Sequence, residues 1–314
     1  MTVRSDRMET PHKQLLEEIR KAILPDIARN AILLAKLHIH RIRELKQIHS
    51  LHEVEFQVFS QWGEDGIIQY LINNVPIANT TFVEFGVQDY TESNTRLLLT
   101  NDNWKGLVID GNNHHIEYIT NDEIYWRHAL TAVCHFITRD NICQIISSAG
   151  ITGDIGLLSI DIDGNDYWVW EAIDVVNPRI VVCEYNSVFG SDHAITIPYD
   201  ANFQRTKAHY SNLYFGASLP ALCILAEKKG YDFCGSNSAG INAFFVRKDV
   251  SHNINTLTAK EGYVLSHVRE SRDIPGNRTY ISGQDRFDVM GDLKVIDIMS
   301  NSLVTLRDLK TEQN

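Results

Sequence analysis

Acidic residues close to glycine stand at the ends of two apolar segments of the chain. Glu84 and Gly86 lie near the end of the segment TFVEFGV, and Asp110 and Gly111 end the segment GLVIDG. Glycine lets the backbone turn tightly beside a ligand, and a carboxylate after a strand can bind the hydroxyls of a ribose. The order and spacing of the two pairs therefore predict a nucleoside site, in which Glu84 binds a cationic or hydroxyl-bearing group.

The loop after Gly86 distinguishes two kinds of nucleoside cofactor. A pyrophosphate cofactor such as NAD needs several glycines and a helix N-terminus at this turn. The loop instead reads Gln88, Asp89, Tyr90, Thr91 and Glu92. Two acids repel a pyrophosphate, whereas they attract the amino and sulfonium groups of S-adenosylmethionine, so the residue types favour the methyl donor.

A second group of acids follows two later apolar segments. Asp161, Asp163 and Asp166 fall within six residues, and the next segment ends in Glu184, Tyr185 and Asn186. Carboxylate and amide oxygens on neighbouring strand ends can bind Mg²⁺ or Ca²⁺. We name three candidate metal ligands: Asp161, Glu184 and Asn186. The alternative is that Asp161 or Asp163 contacts the donor and the other residues cap helices.

Methyl transfer to a hydroxyl needs a group that takes the proton of the acceptor oxygen. Histidine has a suitable intrinsic pKa for this task. His193, which follows the segment RIVVCEY, is the first candidate for the general base, and Asp166 and His209 are the alternatives.

The elements that must position these residues follow from hydrophobic periodicity. Near-continuous apolar runs suit strands that are buried on both faces of a parallel sheet, and amphipathic segments between them suit helices. We predict strands at 81–87, 106–111, 156–164 and 179–185, and helices at 94–101, 139–149, 167–174 and 219–229. YDFCGS and INAFFVRKD then form a terminal strand pair. This alternation predicts an α/β, Rossmann-like, doubly wound and mostly parallel sheet with a C-terminal antiparallel strand.

The first part of the chain has a different pattern. Leucine and isoleucine recur there at helical spacing, and Pro25 is expected to separate or kink two helices. These N-terminal helices either pack on the α/β domain or form an oligomerisation arm, because such an apolar stripe must be buried somewhere. We divide the chain into a helical segment at 1–55, an α/β domain at 56–250 and a C-terminal extension at 251–314 that packs on the domain.

Composition restricts the class of partner. The 314-residue chain has a net charge of −11, which argues against a nucleic-acid backbone as the main partner. Its five cysteines include no CxxC pair, which is typical of free thiols in a reducing compartment. Without a signal-peptide core or an apolar stretch long enough to span a bilayer, the expected location is the cytoplasm.

Four segments together resemble the FkbM-type class I S-adenosylmethionine-dependent methyltransferases. They read FSQWGEDGII (59–68), FVEFGVQDYTESNTRLL (82–98), WKGLVIDGN (104–112) and LLSIDIDGNDYWVW (157–170). The segment 212–246 is similar to a related branch found in surface-polysaccharide biosynthesis clusters. The resemblance covers 59–246 and does not include the N-terminal helices or the C-terminal tail.

The resemblance implies a position for the donor. It places Glu84 and Gly86 beside the methionine moiety and Asp110 on the ribose. QWGED (61–65) matches a family motif that lies near the donor. The predicted donor site therefore consists of Gln61, Glu84, Gly86, Asp110, Gly111 and Asp161.

The resemblance also bears on the metal. In related sugar O-methyltransferases that use magnesium, the ligands follow the fourth and fifth strands, which matches Asp161 and the segment 184–186. Those relatives often show an adjacent carboxylate pair after the fifth strand, whereas here Tyr185 follows Glu184. The family commonly reads ID-x-E-G at the fourth strand, and Asp163 here keeps that charge with a shorter reach.

The leading hypothesis from these observations is an S-adenosylmethionine-dependent O-methyltransferase. Its acceptor would be a sugar or sugar-containing metabolite, either free or nucleotide-linked, in surface-polysaccharide (capsule or O-antigen) biosynthesis, with magnesium assistance as a further implication. One alternative is an NAD-type Rossmann oxidoreductase. Another is a non-catalytic binding protein that retains the methyltransferase fold.

Overall fold

The computed structural model describes residues 11–45 and 47–309 of the chain. Its strands are β1 (Thr81–Phe85), β2 (Lys105–Asp110), β3 (Leu130–Cys134), β4 (Gly153–Ile160), β5 (Val176–Glu184), β6 (Ile195–Thr196), β7 (Tyr231–Ser236), β8 (Asn242–Arg247), β9 (Lys294–Asp297) and β10 (Ser302–Thr305).

Its α-helices are α1 (Pro11–Glu44), α2 (Glu64–Asn74), α3 (Arg96–Asn101), α4 (Asn113–Asn121), α5 (Glu123–Arg127), α6 (Ile142–Ser148), α7 (Asp166–Ala172), α8 (Arg205–Ala208), α9 (Leu219–Lys229), α10 (Ala259–Gly262) and α11 (Gln284–Asp288). The helix predicted at 219–229 has the bounds of α9, and the other predicted helices differ from α3, α6 and α7 by at most three residues at an end.

Seven strands form the main sheet in the order β3-β2-β1-β4-β5-β8-β7. β1 pairs in parallel with both β2 and β4, and β4 pairs in parallel with β5. β8 is antiparallel to β5 and to β7. The predicted fold class, a Rossmann-like mostly parallel sheet with a C-terminal antiparallel strand, is confirmed.

Alternate residues of the central strands supply two separate cores. Val83 and Leu107 pack in one cluster with α6, α7 and α9, whereas Phe82 and Val108 pack in another with α1, α2 and α4. Successive strand side chains point to opposite faces of a sheet, so an apolar residue at every position is what a sheet covered on both sides requires. Because β1, β2, β4 and β5 pair in parallel, their carboxyl ends lie along the same edge of the sheet.

β3 and a small second sheet were not predicted. β3 lies at the edge of the main sheet and is only partly buried, so its sequence lacks the continuous apolar run of its neighbours. The second sheet joins β6 to β9 and β10 in antiparallel pairs. β9 and β10 come from the C-terminal extension, and they cover a core that includes Met290, Val295 and Leu306.

The N-terminal segment is helical, and of the two expectations for Pro25, a separation or a kink, the separation into two helices is wrong. α1 runs without interruption from Pro11 to Glu44, because a proline removes only one backbone donor and the rest of a long helix can retain its hydrogen bonds. Ala35, Ile39 and Ile42 are buried against the domain. None of the described helices combines the length and apolar character needed to cross a membrane.

Candidate functional site

Two adjoining cavities lie at the carboxyl ends of β1, β2 and β4. The first, which we call the β2-end cavity, has a volume of about 190 Å³. The second, the β1-loop cavity, has a volume of about 310 Å³ and lies under the loop that follows β1. Gly86, Gln88 and Asp161 line both cavities, so a ligand in one would reach the other.

All six residues predicted to bind the donor line these cavities. Asp110 and Gly111 line the β2-end cavity, and Gln61 and Glu84 line the β1-loop cavity. Gly86 and Asp161 line both cavities. The sheet brings them together because parallel strands end at the same edge.

Asp110 is held in place by its own loop. One carboxylate oxygen, Oδ1, accepts from the Asn112 amide at 2.8 Å and lies 3.0 Å from Nδ1 of His115. The other, Oδ2, accepts from the Gln88 amide at 2.8 Å. Because a carboxylate oxygen has two lone pairs, Oδ2 keeps acceptor capacity for a hydroxyl in the β2-end cavity.

Gly86 is required by close packing between strand ends. Its φ is +70°, and a Cβ at this position would lie 1.7 Å from the carbonyl oxygen of Asp161. The glycine therefore lets the turn after β1 contact the turn after β4. Gly111 has no such restriction, since a Cβ there would meet the ring of Phe136 at 3.5 Å.

Glu84 holds the loop that covers the β1-loop cavity. Its carboxylate accepts from the Asn94 amide at 2.8 Å and the Thr95 amide at 3.1 Å, and it also accepts from the Thr95 hydroxyl. Burial raises the pKa of Glu84 from 4.5 to about 7. The side chain therefore positions the loop from within the cavity wall.

Residues with left-handed backbones flank the cavities. Gln88, Tyr90 and Asp163 have φ values of 49°, 62° and 55°. Non-glycine residues rarely adopt this conformation, and it costs about 1–3 kcal/mol each. Such strain concentrates at functional sites, and here it occurs in both loops that border the cavities.

The acids after β4 and β5 form one cluster. Carboxylate oxygens of Asp161, Asp166 and Glu184 lie within 4.8 Å of one another. Asp166, a predicted base, is fully buried, and its two oxygens accept from the amides of Ile162 and Gly164 at 2.8 and 2.9 Å. Burial raises its pKa to about 6. These bonds fix the turn after β4, so the carboxylate serves first as a structural anchor.

Glu184 contacts Asp161 within the acid cluster. Its Oε2 is buried and has no hydrogen-bond partner among the described residues. Burial, followed by the charge of Asp161, raises its pKa well above the usual range. Burial likewise raises the pKa of Asp161, with the charges of Asp163 and Asp166 adding to the effect.

Arg205 supplies the positive charge of this region. Its Nη1 lies 2.5 Å from Oδ1 of Asp163, and its guanidinium stacks 3.8 Å from the ring centroid of Phe215. Glu184 and Asp161 both contribute to its raised pKa, although burial opposes the rise. The sequence contained no signal for this residue, because α8 is a single short turn far from β4 along the chain.

Asn186 differs from its predicted role as a metal ligand. Its amide nitrogen donates to the carbonyls of Leu213 and Phe215 at 2.8 and 3.0 Å, and its Oδ1 accepts from the Val188 amide at 3.0 Å. The side chain is therefore engaged in loop hydrogen bonds. Within the described residues, the acid that joins Asp161 and Glu184 is Asp166.

The QWGED motif is mainly structural. Asp65 Oδ2 accepts from three successive amides, at 58–60, at 2.7 to 2.8 Å. Glu64 Oε1 accepts from the side-chain amides of Asn237 and Asn242 at 2.7 and 2.8 Å, which connects α2 to the β7–β8 hairpin. Gln61 is the residue of the motif that lines the β1-loop cavity.

His193 lies in a third and larger cavity. This cavity, which we call the α11 cavity, has a volume of about 570 Å³ and begins after the carboxyl end of β5. Among the described residues, it shares no lining residue with the β1-loop and β2-end cavities. His209, the alternative base, lies outside the lining of all three cavities.

Phe136, which is 48% exposed and lines the β2-end cavity, was not predicted, since an isolated aromatic residue after an edge strand gives no periodic signal.

Comparisons with known proteins gave distant matches among solved structures. No family model and no curated protein matches the chain. The N-terminal domain of EvdMO1 with SAH bound is 8% identical over 58% of this chain and 79% of that chain, with a TM-score of 0.39. A S-adenosylmethionine-dependent methyltransferase from Clostridium acetobutylicum is 8% identical over 59% and 90%, with a TM-score of 0.37. PKMT2 from Rickettsia typhi in complex with AdoHcy is 11% identical over 76% and 58%, with a TM-score of 0.40. Likenesses at this level assign neither ligand nor activity to the chain.

Proposed function

We propose that the chain is an S-adenosylmethionine-dependent O-methyltransferase that acts on a sugar or sugar-containing metabolite. The observation that carries the proposal is the pair of adjoining cavities at the ends of β1, β2 and β4, lined by all six residues predicted to bind the donor. The resemblance to FkbM-type sequences supports a role in surface-polysaccharide biosynthesis in the cytoplasm.

Each cavity suits one part of the donor. Asp110 would accept from the ribose hydroxyls, and the exposed ring of Phe136 would stack on adenine in the β2-end cavity. The β1-loop cavity, which contains the acids Glu84, Asp89 and Glu92, would bind the cationic methionine part. These acids disfavour a pyrophosphate, which argues against the oxidoreductase alternative.

The sheet also differs from a dinucleotide-binding sheet. The usual order for dinucleotides is six parallel strands ordered 3-2-1-4-5-6. Here an antiparallel strand, β8, lies next to β5. This difference further favours a methyltransferase over an NAD-type enzyme.

The acid cluster is placed to handle the proton of the acceptor. Methyl transfer requires the acceptor oxygen in line with the S–CH₃ bond and a group that takes its proton. Asp166 holds backbone amides with both oxygens, whereas the buried Oε2 of Glu184 accepts no hydrogen bond from the described residues. We therefore assign the removal of the proton of the acceptor hydroxyl to the Asp161–Glu184 pair rather than to Asp166. His193 is assigned to acceptor binding.

The same pair fits a magnesium ion. Asp161 and Glu184 have carboxylate oxygens within 4.8 Å of each other, and the buried Oε2 of Glu184 accepts no hydrogen bond from the described residues, so the pair offers the hard oxygen donors that Mg²⁺ prefers. Asp161 and Glu184 would hold the ion, which when bound would lower the pKa of an acceptor hydroxyl. Arg205 already neutralises part of this charge through Asp163, so the residues also suit activity without a metal.

We also propose that α1 pairs with a second copy of the chain. Ile19, Ile23, Ile27, Leu34 and Leu37 recur at spacings of three, four and seven, and each is between 45% and 68% exposed. This spacing places them along one side of a helix, apart from the buried side at Ala35 and Ile39. Spacing of this kind is typical of helices that pair through an apolar seam.

The direct test is incubation of the purified chain with labelled S-adenosylmethionine and a panel of free and nucleotide-linked sugars, with and without EDTA. Label transfer to a sugar would support the function, and its loss in EDTA would support the metal. Transfer that is indifferent to EDTA would contradict the metal alone. Retained NAD in the purified protein would favour the oxidoreductase, and the absence of heat on titration with S-adenosylmethionine would favour the binding protein.

A further inference from the structure

The α11 cavity has a volume of about 570 Å³ and is larger than the β1-loop and β2-end cavities. Its wall consists of the segment 187–190, residues around His193, Tyr263 and the helix α11. Ligand sites in proteins commonly have volumes of roughly 300–1,000 Å³. The cavity is therefore large enough for a sugar phosphate or a comparable organic molecule.

Arg286 of α11 carries a buried positive charge into the cavity wall. It is 7% exposed, and its Nε has no hydrogen-bond partner among the described residues. Its Nη1 donates to the carbonyl of Ser266 at 3.2 Å. No carboxylate of the described residues lies within 4.0 Å of its guanidinium. Leaving a buried charge unpaired is costly, and proteins rarely do so without a ligand.

The described neighbours of Arg286 include no carboxylate within 4.0 Å, although Tyr263 opposes the lowering of its pKa by burial. The partly exposed Asp297 lies near enough to His193 to interact with it. His193 Nε2 is also buried without a partner. The nearby Arg205 lowers the pKa of Arg286, although burial is the larger cause. Asp192 lines the cavity, but it is exposed and lies 3.9 Å from Nζ of Lys260. The hydroxyl of Tyr263 already donates to the carbonyl of Ser187 at 2.6 Å.

We propose that the α11 cavity binds the anionic group of a phosphorylated or carboxylated sugar, with the guanidinium of Arg286 as the main contact and His193 as a second donor. The cavity follows directly on β5, which ends at Glu184 in the acid cluster. An acceptor held there by its anion could extend a hydroxyl toward that cluster. Only the identification of this ligand as the acceptor rests on the proposed function.

Binding to the full-length chain tests this inference. Calorimetric titration would use UDP, glucose 1-phosphate, glucuronate and uncharged glucose. We expect at least one anion to bind and glucose not to bind. Arg286→Gln should lower the affinity for that anion about 10-fold or more, because a hydrogen bond between two charged groups is lost. The preferred probe distinguishes a nucleotide, a simple sugar phosphate and a carboxylate.

Two controls separate this inference from the donor site and from misfolding. Arg127→Gln removes an exposed arginine that is paired with Glu123 on α5, and it should leave anion affinity unchanged. S-adenosylhomocysteine affinity should be equal in the wild type and in Arg286→Gln. If Arg286→Gln does not fold, Arg286→Lys and His193→Asn take its place, and each of them should lower the affinity for the anion.

The inference is overturned if no anion binds at millimolar concentration, or if a folded Arg286 or His193 variant binds the anion as tightly as the wild type. Loss of donor binding alone would contradict the proposed function and leave the anion site standing.

Discussion

Carboxylates near the strand ends accept hydrogen bonds from the backbone of neighbouring loops in this protein. Glu84, Asp110 and Asp166 each accept backbone amides of the loop that follows their own strand or a neighbouring one. Hydrogen bonds between charged acceptors and amides are stronger than neutral ones, so these acids fix the loops around the cavities, and Glu84 and Asp110 also line them. A substitution at such a residue therefore changes loop position and ligand contact together.

At this scale the clearest prediction concerns Asp110. Asp110→Asn should weaken S-adenosylhomocysteine binding about 10-fold or more. The asparagine side chain has no negative charge, and it has one acceptor oxygen where the carboxylate has two for the Gln88 amide and the proposed ribose. Calorimetric titration measures the change. Asp122→Asn is the matched control, since Asp122 also accepts an amide, that of Ile124 at 2.8 Å, but lies outside the β1-loop and β2-end cavities. Equal affinity in the two variants would contradict the assignment of Asp110.

At the scale of elements, the site depends on how closely the turns after β1 and β4 approach. Gly86→Ala should lower the free energy of unfolding by roughly 2–4 kcal/mol, because it combines a positive φ with overlap against Asp161. Urea denaturation followed by circular dichroism measures the loss. Gly111→Ala should change stability by less than about 1 kcal/mol, since its Cβ makes ordinary contact. Similar losses in both variants would show that the turn can relax.

The exposed apolar side of α1 gives a second prediction at the scale of elements. Substituting both Leu34 and Leu37 with glutamate should shift the chain toward monomer, because two charges would enter the proposed seam. Light scattering coupled to size-exclusion chromatography measures the mass. Lys36→Glu, at an exposed position between them, changes the charge of the same helix without altering either leucine. A wild type that is monomeric at high concentration would contradict the pairing.

At the scale of the whole molecule, buried acids make stability depend on pH. The pKa of Glu84 is about 7 in the folded chain against 4.5 as its ordinary value. The folded state therefore holds this proton more tightly, and the resulting stability is complete below about pH 4.5 and is lost as pH rises through about 7. The size of the change is on the order of 3 kcal/mol. Glu84→Gln should flatten this dependence.

Urea denaturation between pH 4.5 and pH 8 would measure that slope. Glu92→Gln removes an exposed acid of the same loop, and it should leave the slope of the wild type in place. A Glu84→Gln variant with an unchanged slope would assign the pH dependence to other groups.

The three cavities give the whole molecule a consistent arrangement. The β1-loop and β2-end cavities lie at β1, β2 and β4, the acid cluster lies at β4 and β5, and the α11 cavity follows β5. The order along the sheet edge is thus the proposed donor site, proton-handling group and acceptor site. A topology in which neighbouring strands end together makes this order possible.

Most of the main sheet could be predicted from local sequence. The apolar runs that became β1, β2, β4 and β5 carry their own pattern, and the acids that follow them mark the functional edge. β3 and β6 could not be predicted in this way, because one is a partly exposed edge strand and the other contains only Ile195 and Thr196. Pro25 showed the opposite failure, since a local helix breaker lies within a continuous helix.

The sequence by itself determined the fold class, because the apolar runs and their spacing along the chain specify the strands, and it indicated six residues that the structure places around the β1-loop and β2-end cavities. Only the tertiary structure decided which partner each acid has. It engaged Asn186 and Asp166 in loop hydrogen bonds, brought Arg205 to the acid cluster and left Arg286 without a counter-charge among the described residues. These outcomes depend on contacts between segments that are distant along the chain, and periodicity contains no information about such contacts.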